Sequence, residues 1–159
     1  MATNPNPSVF LVDDEEMVIT SLRAFLQLET EFEVHAFTDP EQAARSLENT
    51  RVDVVVSDYF MPKMNGIQLL AHARKLQPEA ARVLLTGHAD KQSAIQAIND
   101  VGLFQYLEKP WDNEQLLLVL KSAIERTGLL RMLAGKISEL DAAQDSLKSA
   151  QAKLIRAFM

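Results

Sequence analysis

Short apolar runs alternate with amphipathic segments over the first 127 residues of the chain. The run Ser8–Val12 stops at two aspartates, and the β-branched run Val52–Ser57 stops at a third. Runs of this kind are typical of parallel strands that are buried on both faces. The same criterion predicts three further strands, over residues 32–36, 82–85 and 103–107.

The segments between these runs carry the spacing and the start signals of helices. After the first strand, Met17, Leu22 and Phe25 fall on one broad apolar face. Asp39–Pro40 predicts a helix start, because aspartate accepts a bond from a free backbone N–H and proline suits the first turn. Asp112 is the expected N-cap of the helix after the fifth strand. Two more helices are predicted, over residues 67–77 and 90–99.

This order, a strand followed by a helix five times, predicts an α/β fold. Right-handed crossovers and a doubly wound order follow. The fold class that we predict is a five-stranded parallel sheet of the flavodoxin-like type, with strand order 2-1-3-4-5. We expect an N-terminal arm at residues 1–7, this domain at 8–127, and a helical coiled-coil extension at 128–159. The functional crevice of such a sheet lies at the carboxyl ends of its strands.

Polar side chains stand at four of those strand ends. Asp13 and Asp14 follow the first strand, Asp58 the third, Thr86 the fourth and Lys109 the fifth. Each has a plainer interpretation by itself, as a helix cap, a turn residue or a surface lysine. Their joint position at the correct strand ends favours a single site.

The chemistry of this set suits a phosphoryl group. Three clustered carboxylates repel one another, and Mg²⁺ or Mn²⁺ relieves that repulsion at a site made of oxygen ligands. An ammonium and a hydroxyl add the remaining groups needed to hold phosphoryl oxygens. One carboxylate would be the nucleophile and would form an acyl phosphate.

The motifs around these residues are similar to those of a known family. The chain resembles the receiver domain of two-component response regulators over about residues 8–127, and the motifs that carry the resemblance are Val12–Asp14, Val56–Pro62, Asn65–Gly66, Leu85–Gly87 and Tyr106–Pro110. The resemblance implies that Asp58 is phosphorylated from a partner histidine kinase or phosphotransfer protein.

The resemblance also implies the ligands of the metal ion. Asp14 would bind Mg²⁺ directly, Asp13 would act through water, and Asp58 and the backbone carbonyl of Phe60 would complete the protein ligands. Phe60 is bulkier and less polar than the residue many family members carry there. We therefore expect slow autodephosphorylation, because the ring would hinder the access of water to the acyl phosphate.

A conformational switch is the third implication. Thr86 and Lys109 would contact the phosphoryl oxygens, Thr86 would move toward them, and Tyr106 would be the switch aromatic whose ring turns inward. The face formed by the fourth helix, fifth strand and fifth helix would then change. The plainer interpretation of Tyr106 is a half-buried sheet residue with its hydroxyl in water.

Beyond Thr127 the pattern changes to a heptad repeat. Leucines recur every seventh residue, and a second seam precedes them by three residues; the two seams contain Leu133, Leu140, Leu147 and Leu154, and Leu130, Ile137, Gln144, Gln151 and Phe158. The spacing predicts a parallel two-stranded coiled coil over residues 129–158 and hence a homodimer. A single helix that folds back on its own domain is the alternative, and Gly128 is a candidate helix stop.

Composition narrows the choice of function classes. The net charge of −6 argues against direct nucleic-acid binding by this segment, and the absence of cysteine excludes disulfides and thiol catalysis. There is no signal peptide and no apolar run long enough for a membrane span, so we expect a cytoplasmic protein without membrane contact. The three histidines, His35, His72 and His88, lack ligand spacing.

Functions of other classes are alternatives to a stand-alone signalling switch. The chain would not be a turnover enzyme beyond its own phosphorylation and dephosphorylation. It could instead be the N-terminal regulatory fragment of an output enzyme, such as an HD-GYP-type phosphodiesterase, a histidine kinase or a phosphatase, and we expect an output domain beyond Met159. A flavin- or nucleotide-binding domain would need a glycine-rich loop where Asp13 begins an acidic run. A DNA-binding regulator would need its recognition helix in further sequence.

Overall fold

The computed structural model of the protein describes residues 6–158, apart from the side chains of His88 and Ala97. Most of the expected N-terminal arm therefore lies outside the described residues. The elements, in chain order, are β1 Ser8–Val12, α1 Glu16–Glu29, β2 Glu33–Phe37, α2 Pro40–Ser46, β3 Val54–Asp58, α3 Gly66–Leu76, β4 Ala81–Thr86, a short 3-10 helix His88–Asp90, α4 Lys91–Asp100, β5 Gln105–Glu108 and α5 Asn113–Ala157.

The five strands form one parallel sheet in the order β2-β1-β3-β4-β5, which confirms the predicted topology. The register pairs Val12 with Ser57, Asp58 with Leu85, and Thr86 with Glu108. The carboxyl ends of β1, β3, β4 and β5 consequently lie along the same edge.

Two strands begin two residues later than predicted, because side chains that are distant in the chain bond to the backbone before them. The N–H of Val52 donates to Oε1 of Gln77 at 2.9 Å, and β3 begins at Val54. Before β5, the carbonyls of Val101 and Gly102 accept bonds from Nε of Arg82. Gly102 also has a φ of +62°, which turns the chain out of the extended conformation.

Alternate residues of the strands form two separate cores, one on each face of the sheet. Val9 and Leu11 face the core that α1 and α5 cover, whereas Phe10 and Val12 face the one covered by α2, α3 and α4. This alternation explains the continuous apolar runs in the sequence, because both faces of every central strand are buried.

Helix starts follow local signals closely. Oδ1 of Asp39 accepts a bond from the N–H of Glu41, and Oδ1 of Asp112 accepts one from Glu114, each at 3.0 Å, which confirms both predicted N-caps. Asn65 and Gln68 form a reciprocal capping box at the start of α3.

The chain divides into two compact units, the first ending at Thr127 and the second beginning at Gly128. Within the first unit, the buried hydroxyl of Thr127 donates to the carbonyls of Asp53 and Ala123 at 2.8 and 3.0 Å. Gly128 does not stop the helix, because α5 runs continuously from Asn113 to Ala157.

The second unit is helical from Gly128 to Ala157, and Phe158, its last described residue, lies in a turn. Its heptad leucines are each between 56% and 66% exposed, and Ile137 is 52% exposed. The two-seam pattern predicted from the sequence therefore forms an apolar stripe that the single chain leaves open to solvent. None of the described helices combines the length and the low polarity that crossing a lipid bilayer requires.

Candidate functional site

Three aspartates converge at the carboxyl edge of the sheet. Asp13 and Asp14 directly follow β1, and Asp58 is the last residue of the neighbouring β3. One carboxylate oxygen from each lies within 4.8 Å of the others. The side chains of Asp13 and Asp58 are buried, whereas Asp14 is exposed. The pairing of β1 with β3 thus brings together residues that are separated by more than forty positions in the chain.

Lys109 reaches into this acidic cluster from the end of β5. Its Nζ lies 2.8 Å from Oδ1 of Asp58 and 4.0 Å from Oδ2 of Asp13. The backbone N–H of Lys109 donates to the carbonyl of Thr86 at 2.8 Å and so holds this part of the chain against β4. The site therefore combines one cation with three acidic groups.

Burial dominates the electrostatics of the cluster. It raises the pKa of Asp13 from 3.8 to about 6; the charges of Asp58 and Asp14 add to the rise, while the N–H of Glu15 and the charge of Lys109 oppose it. Burial also raises the pKa of Asp58, against the hydrogen bond from Lys109. Burial lowers the pKa of Lys109, but the hydrogen bond and the charge of Asp58 outweigh that effect and raise it overall.

One oxygen of Asp13 has no hydrogen-bond partner. Oδ1 accepts the N–H of Glu15 at 2.9 Å, whereas Oδ2 is buried and unbonded among the described residues. A buried carboxylate oxygen without a donor is costly unless a cation compensates it. Together with the neighbouring carboxylates, it fits the oxygen-ligand chemistry of a hard divalent ion such as Mg²⁺.

The helix-cap interpretation of the two aspartates does not hold. Helix α1 begins at Glu16, and its N-cap, Glu15, makes no side-chain capping bond. The bond that Asp13 accepts comes from the N–H of Glu15 itself, before the first helical residue. An N-cap would instead accept from the second or third helical N–H.

Thr86, the last residue of β4, is fully buried beside the cluster. Its Oγ1 donates to the carbonyl of Gly87 at 3.1 Å. The hydroxyl therefore bonds along its own chain in this structure, and a contact with a phosphoryl oxygen would require it to give up that bond.

Gly66 closes the loop after Asp58 and was not assigned a role from the sequence. Its N–H donates to the carbonyl of Tyr59 at 2.8 Å. A Cβ on Gly66 would collide with the carbonyl oxygen of Asp58 and would lie 2.9 Å from Cδ1 of Leu84. The available signal was the turn dipeptide Asn65–Gly66, but the sequence does not show what the backbone approaches.

Within the same loop, Lys63 is the centre of a three-residue turn. The N–H of Met64 donates to the carbonyl of Pro62 at 2.8 Å, and Lys63 has a φ of +72°. This conformation is unfavourable for a residue with a Cβ. Phe60, in the loop between Asp58 and this turn, is 77% exposed.

Tyr106 lies on β5, with its ring packed against the core beneath α4. It lines a cavity of about 450 Å³ together with Ile98, Leu103 and Gln115, which belong to α4, to the segment before β5 and to α5. Both the switch role and the plainer sheet-residue interpretation are compatible with this half-buried position.

Two histidines make contacts outside the acidic cluster. The ring centroid of His35 lies 5.3 Å from that of Phe10, and Nε2 of His72 lies 3.3 Å from the carbonyl of Ala44. Packing and hydrogen bonding account for these two side chains. The side chain of His88 lies outside the described part of the chain.

Comparison with known proteins identifies the family. The sequence-family model of the response regulator receiver domain matches residues 9–121, which is well over half of the chain. The chain belongs to the response regulator receiver family. Its five-stranded sheet with flanking helices and its acidic strand-end cluster are this family's features in this sequence.

Several relatives have a similar receiver domain. The hydrogenase transcriptional regulatory protein HoxA of Cupriavidus necator is 32% identical over 122 residues, which cover 77% of this chain and 25% of that protein. The signal receiver domain of an HD domain-containing protein from Pseudomonas fluorescens Pf-5 is 34% identical, with a TM-score of 0.77, and 83% of this chain matches 96% of that one.

A response regulator receiver domain protein from Clostridium thermocellum gives a TM-score of 0.73 at 32% identity, and 78% of this chain matches 98% of that one. The chain spans about a quarter of the length of the curated relatives HoxA and DctD, the second from Rhizobium meliloti. The similarity therefore concerns the receiver and leaves the output of this chain open.

Proposed function

We propose that Asp58 accepts a phosphoryl group from the phosphohistidine of a histidine kinase or phosphotransfer protein. The observation that carries this proposal is the ammonium of Lys109, 2.8 Å from the Asp58 carboxylate and beside two further acidic groups. A carboxylate in this setting is the nucleophile, and the cation beside it balances the charge of an incoming phosphoryl group.

The reaction forms one bond and breaks one. A carboxylate oxygen of Asp58 attacks phosphorus, the bond from phosphorus to the imidazole nitrogen of the donor breaks, and the electron pair leaves with the imidazole. Lys109 and the hydroxyl of Thr86 then bind oxygens of the acyl phosphate. Hydrolysis by water later restores the carboxylate and releases inorganic phosphate.

The proposed metal ligands are the carboxylates of Asp14 and Asp58 and the carbonyl of Phe60, with Asp13 acting through water. The unbonded Oδ2 of Asp13 and the spacing of the three carboxylates support this set. A bound Mg²⁺ or Mn²⁺ would supply positive charge that offsets the repulsion between these carboxylates and the phosphoryl oxygens.

The surface of this chain beside Lys109 is suitable for binding a protein phosphodonor. A groove of about 480 Å³ runs between α1 and the segment after β5, and it is lined mainly by apolar side chains that include Met17, Leu22 and Trp111. Met17 is 85% exposed. Exposed apolar surface next to a reactive group is a feature of protein interaction sites, and we propose that the phosphodonor docks here.

Phosphorylation would switch the face formed by α4, β5 and α5. The proposed trigger is the Thr86 hydroxyl, which would exchange the Gly87 carbonyl for a phosphoryl oxygen. The cavity beside Tyr106 supports an inward movement of the ring, because it offers space at the sheet edge. Helix α4 would be free to respond, since Ala94 is its one fully buried side chain among those described.

The helical unit would pair with a second copy as a parallel coiled coil. Its exposed leucines supply the contact, and Gln144 and Gln151 in the second seam would favour one register. In the single chain, Nζ of Lys136 lies 3.6 Å from Oε2 of Glu139. In the dimer, Lys136 would be within reach of Asp141 of the partner subunit. Pairing would carry a change in the receiver along the coiled coil.

A mass measurement tests the central proposal. Incubation with acetyl phosphate and Mg²⁺ should add one phosphoryl group to the wild type and none to Asp58→Asn. Asp53→Asn is the matched control, since Asp53 is also a buried aspartate beside β3, but it accepts a structural bond from the N–H of Ser8. A phosphoryl group on Asp58→Asn, or none on the wild type, would refute the proposal.

The similarity to these relatives does not determine which output activity this receiver controls. One is a transcriptional regulatory protein, and another similar receiver belongs to an HD domain-containing protein. The relatives are regulators, and for this chain we propose no catalysis beyond transfer to Asp58 and hydrolysis of its phosphate. The reading frame that encodes this receiver would distinguish a DNA-binding output from an enzymatic one.

A further inference from the structure

Trp111 lies against the lysine of the site. Lys109 Nζ is 5.9 Å from the centroid of the indole ring and 2.8 Å from Oδ1 of Asp58. The same ammonium therefore contacts a carboxylate and an aromatic ring. We propose that Trp111 is a positioning residue, which holds the Lys109 ammonium at Asp58 for the phosphoryl transfer described above; the inference thus rests on the proposed function.

Lysine needs such support because its side chain is long and flexible. The Lys109 side chain is still 31% exposed, so solvent competes for its ammonium. Oδ2 of Asp13 lies 4.0 Å from the Lys109 ammonium and attracts it in another direction, as does the negative charge of Glu15. An aromatic face attracts a cation without forming a hydrogen bond, so it can restrict the ammonium and leave its donors available to oxygens.

The ring itself is held in place by the core. Trp111 packs against the core on the α1 and α5 face and lines the groove with Val18 and Leu22. It is half-buried and lies just before the start of α5. A ring anchored on apolar side chains is a suitable platform for a mobile charge, and tryptophan has the most favourable face of the aromatic residues for a cation.

A purely structural role for Trp111 predicts something different. If the ring only filled space, a bulky aliphatic residue would replace it as well as a phenyl ring does. If its π face holds the lysine, phenylalanine should preserve the function better than leucine. Trp111→Phe and Trp111→Leu therefore form the test pair.

The first measurement is the initial rate of phosphorylation by acetyl phosphate at fixed Mg²⁺, followed by intact mass. We expect Trp111→Leu to react about three- to tenfold more slowly than the wild type, and Trp111→Phe to stay within about twofold. Equal rates in all three proteins, or equal losses in both variants, would overturn the inference. A wild type that gains no phosphoryl group would instead refute the proposed function.

The second measurement needs neither phosphodonor nor metal. Trp111 is the single tryptophan, so indole fluorescence reports on its surroundings alone. Lys109→Met should change the emission intensity or maximum, and Lys121→Met, at an exposed position on α5, should leave both unchanged. Emission that does not respond to Lys109→Met would show that the ammonium does not contact the ring, even if a Trp111 variant fails to fold.

Discussion

The ammonium of Lys109 lies 2.8 Å from Oδ1 of Asp58, and this contact joins the ends of two strands that are not neighbours in the sheet. β4 lies between β3 and β5, and Lys109 reaches past its end. The proposed nucleophile and the proposed charge-balancing group thus meet only when three consecutive strands of the sheet are paired.

Removing this cation should impair the reaction more than it impairs the fold. We expect Lys109→Met to lower the rate of phosphorylation by acetyl phosphate by about tenfold or more, because a charged donor at the phosphoryl oxygens is lost. The measurement is intact mass over time at saturating Mg²⁺. Lys121→Met is the control, and a Lys109→Met rate equal to the wild type would contradict the assigned role.

The acidic cluster should make stability depend on pH. Since burial raises the pKa of Asp13 to about 6, the folded state binds more protons than the unfolded state between about pH 4 and 6. Without divalent cations, the free energy of unfolding should therefore fall by about 1–3 kcal/mol as the pH rises through that range. The raised pKa of Asp58 acts in the same direction.

Urea unfolding at about pH 4, 5, 6 and 7.5, with and without Mg²⁺, checks this dependence. Asp13→Asn should be more stable than the wild type at pH 7.5 in chelator and should show a weaker dependence on pH. Mg²⁺ should stabilise the wild type more at pH 7.5 than at pH 5, because ionised carboxylates bind it. Wild-type stability that rises between pH 4 and 6 in chelator would contradict the assignment to Asp13.

A methyl group at Gly66 should disrupt the loop after the proposed acceptor. Because the added Cβ would collide with the carbonyl of Asp58, we expect Gly66→Ala to lose about 2 kcal/mol or more and to be phosphorylated more slowly. Gly135→Ala is the control: its Cβ meets nothing within 4 Å, and the helix should gain about 1 kcal/mol. Chemical denaturation measures both changes.

The turn at Lys63 should tolerate glycine well. Its φ of +72° is unfavourable for lysine, so Lys63→Gly should raise the free energy of unfolding by up to about 1 kcal/mol. Lys63→Ala removes the same charge but keeps a Cβ, and it should bring no such gain. If alanine and glycine stabilise the protein equally, the effect comes from the charge and not from the backbone.

The apolar stripe of the second unit should determine the oligomeric state. We expect the full chain to sediment as a dimer and Leu147→Glu to weaken the dimer at least tenfold, because the substitution places a charge in the seam. Ser149→Glu, two residues further on at the outward position, should leave the dimer intact. Truncation after Thr127 should give a monomer or a weaker dimer, and a monomeric full chain at micromolar concentration would refute the coiled-coil proposal.

Much of this fold could be predicted from the sequence, because the relevant signals are local. The parallel sheet follows from the alternation of apolar runs and amphipathic segments, and the handedness of the crossovers narrows its possible strand orders. The N-caps Asp39 and Asp112 bond to N–H groups only two residues away. Asp58 could be proposed as an acceptor because the end of a parallel strand has a known place in such a sheet.

The tertiary structure alone decided the remaining features, because each depends on an approach between distant parts of the chain. Burial beside two other carboxylates raises the pKa of Asp13. The bond that Gln77, 25 residues further along the chain, accepts from the N–H of Val52 shifts the start of β3. Glycine is required at position 66 only because the backbone carbonyl of Asp58 approaches it closely. A sequence pattern specifies which side chains share a face, but desolvation, collision and charge pairing depend on distances that packing sets.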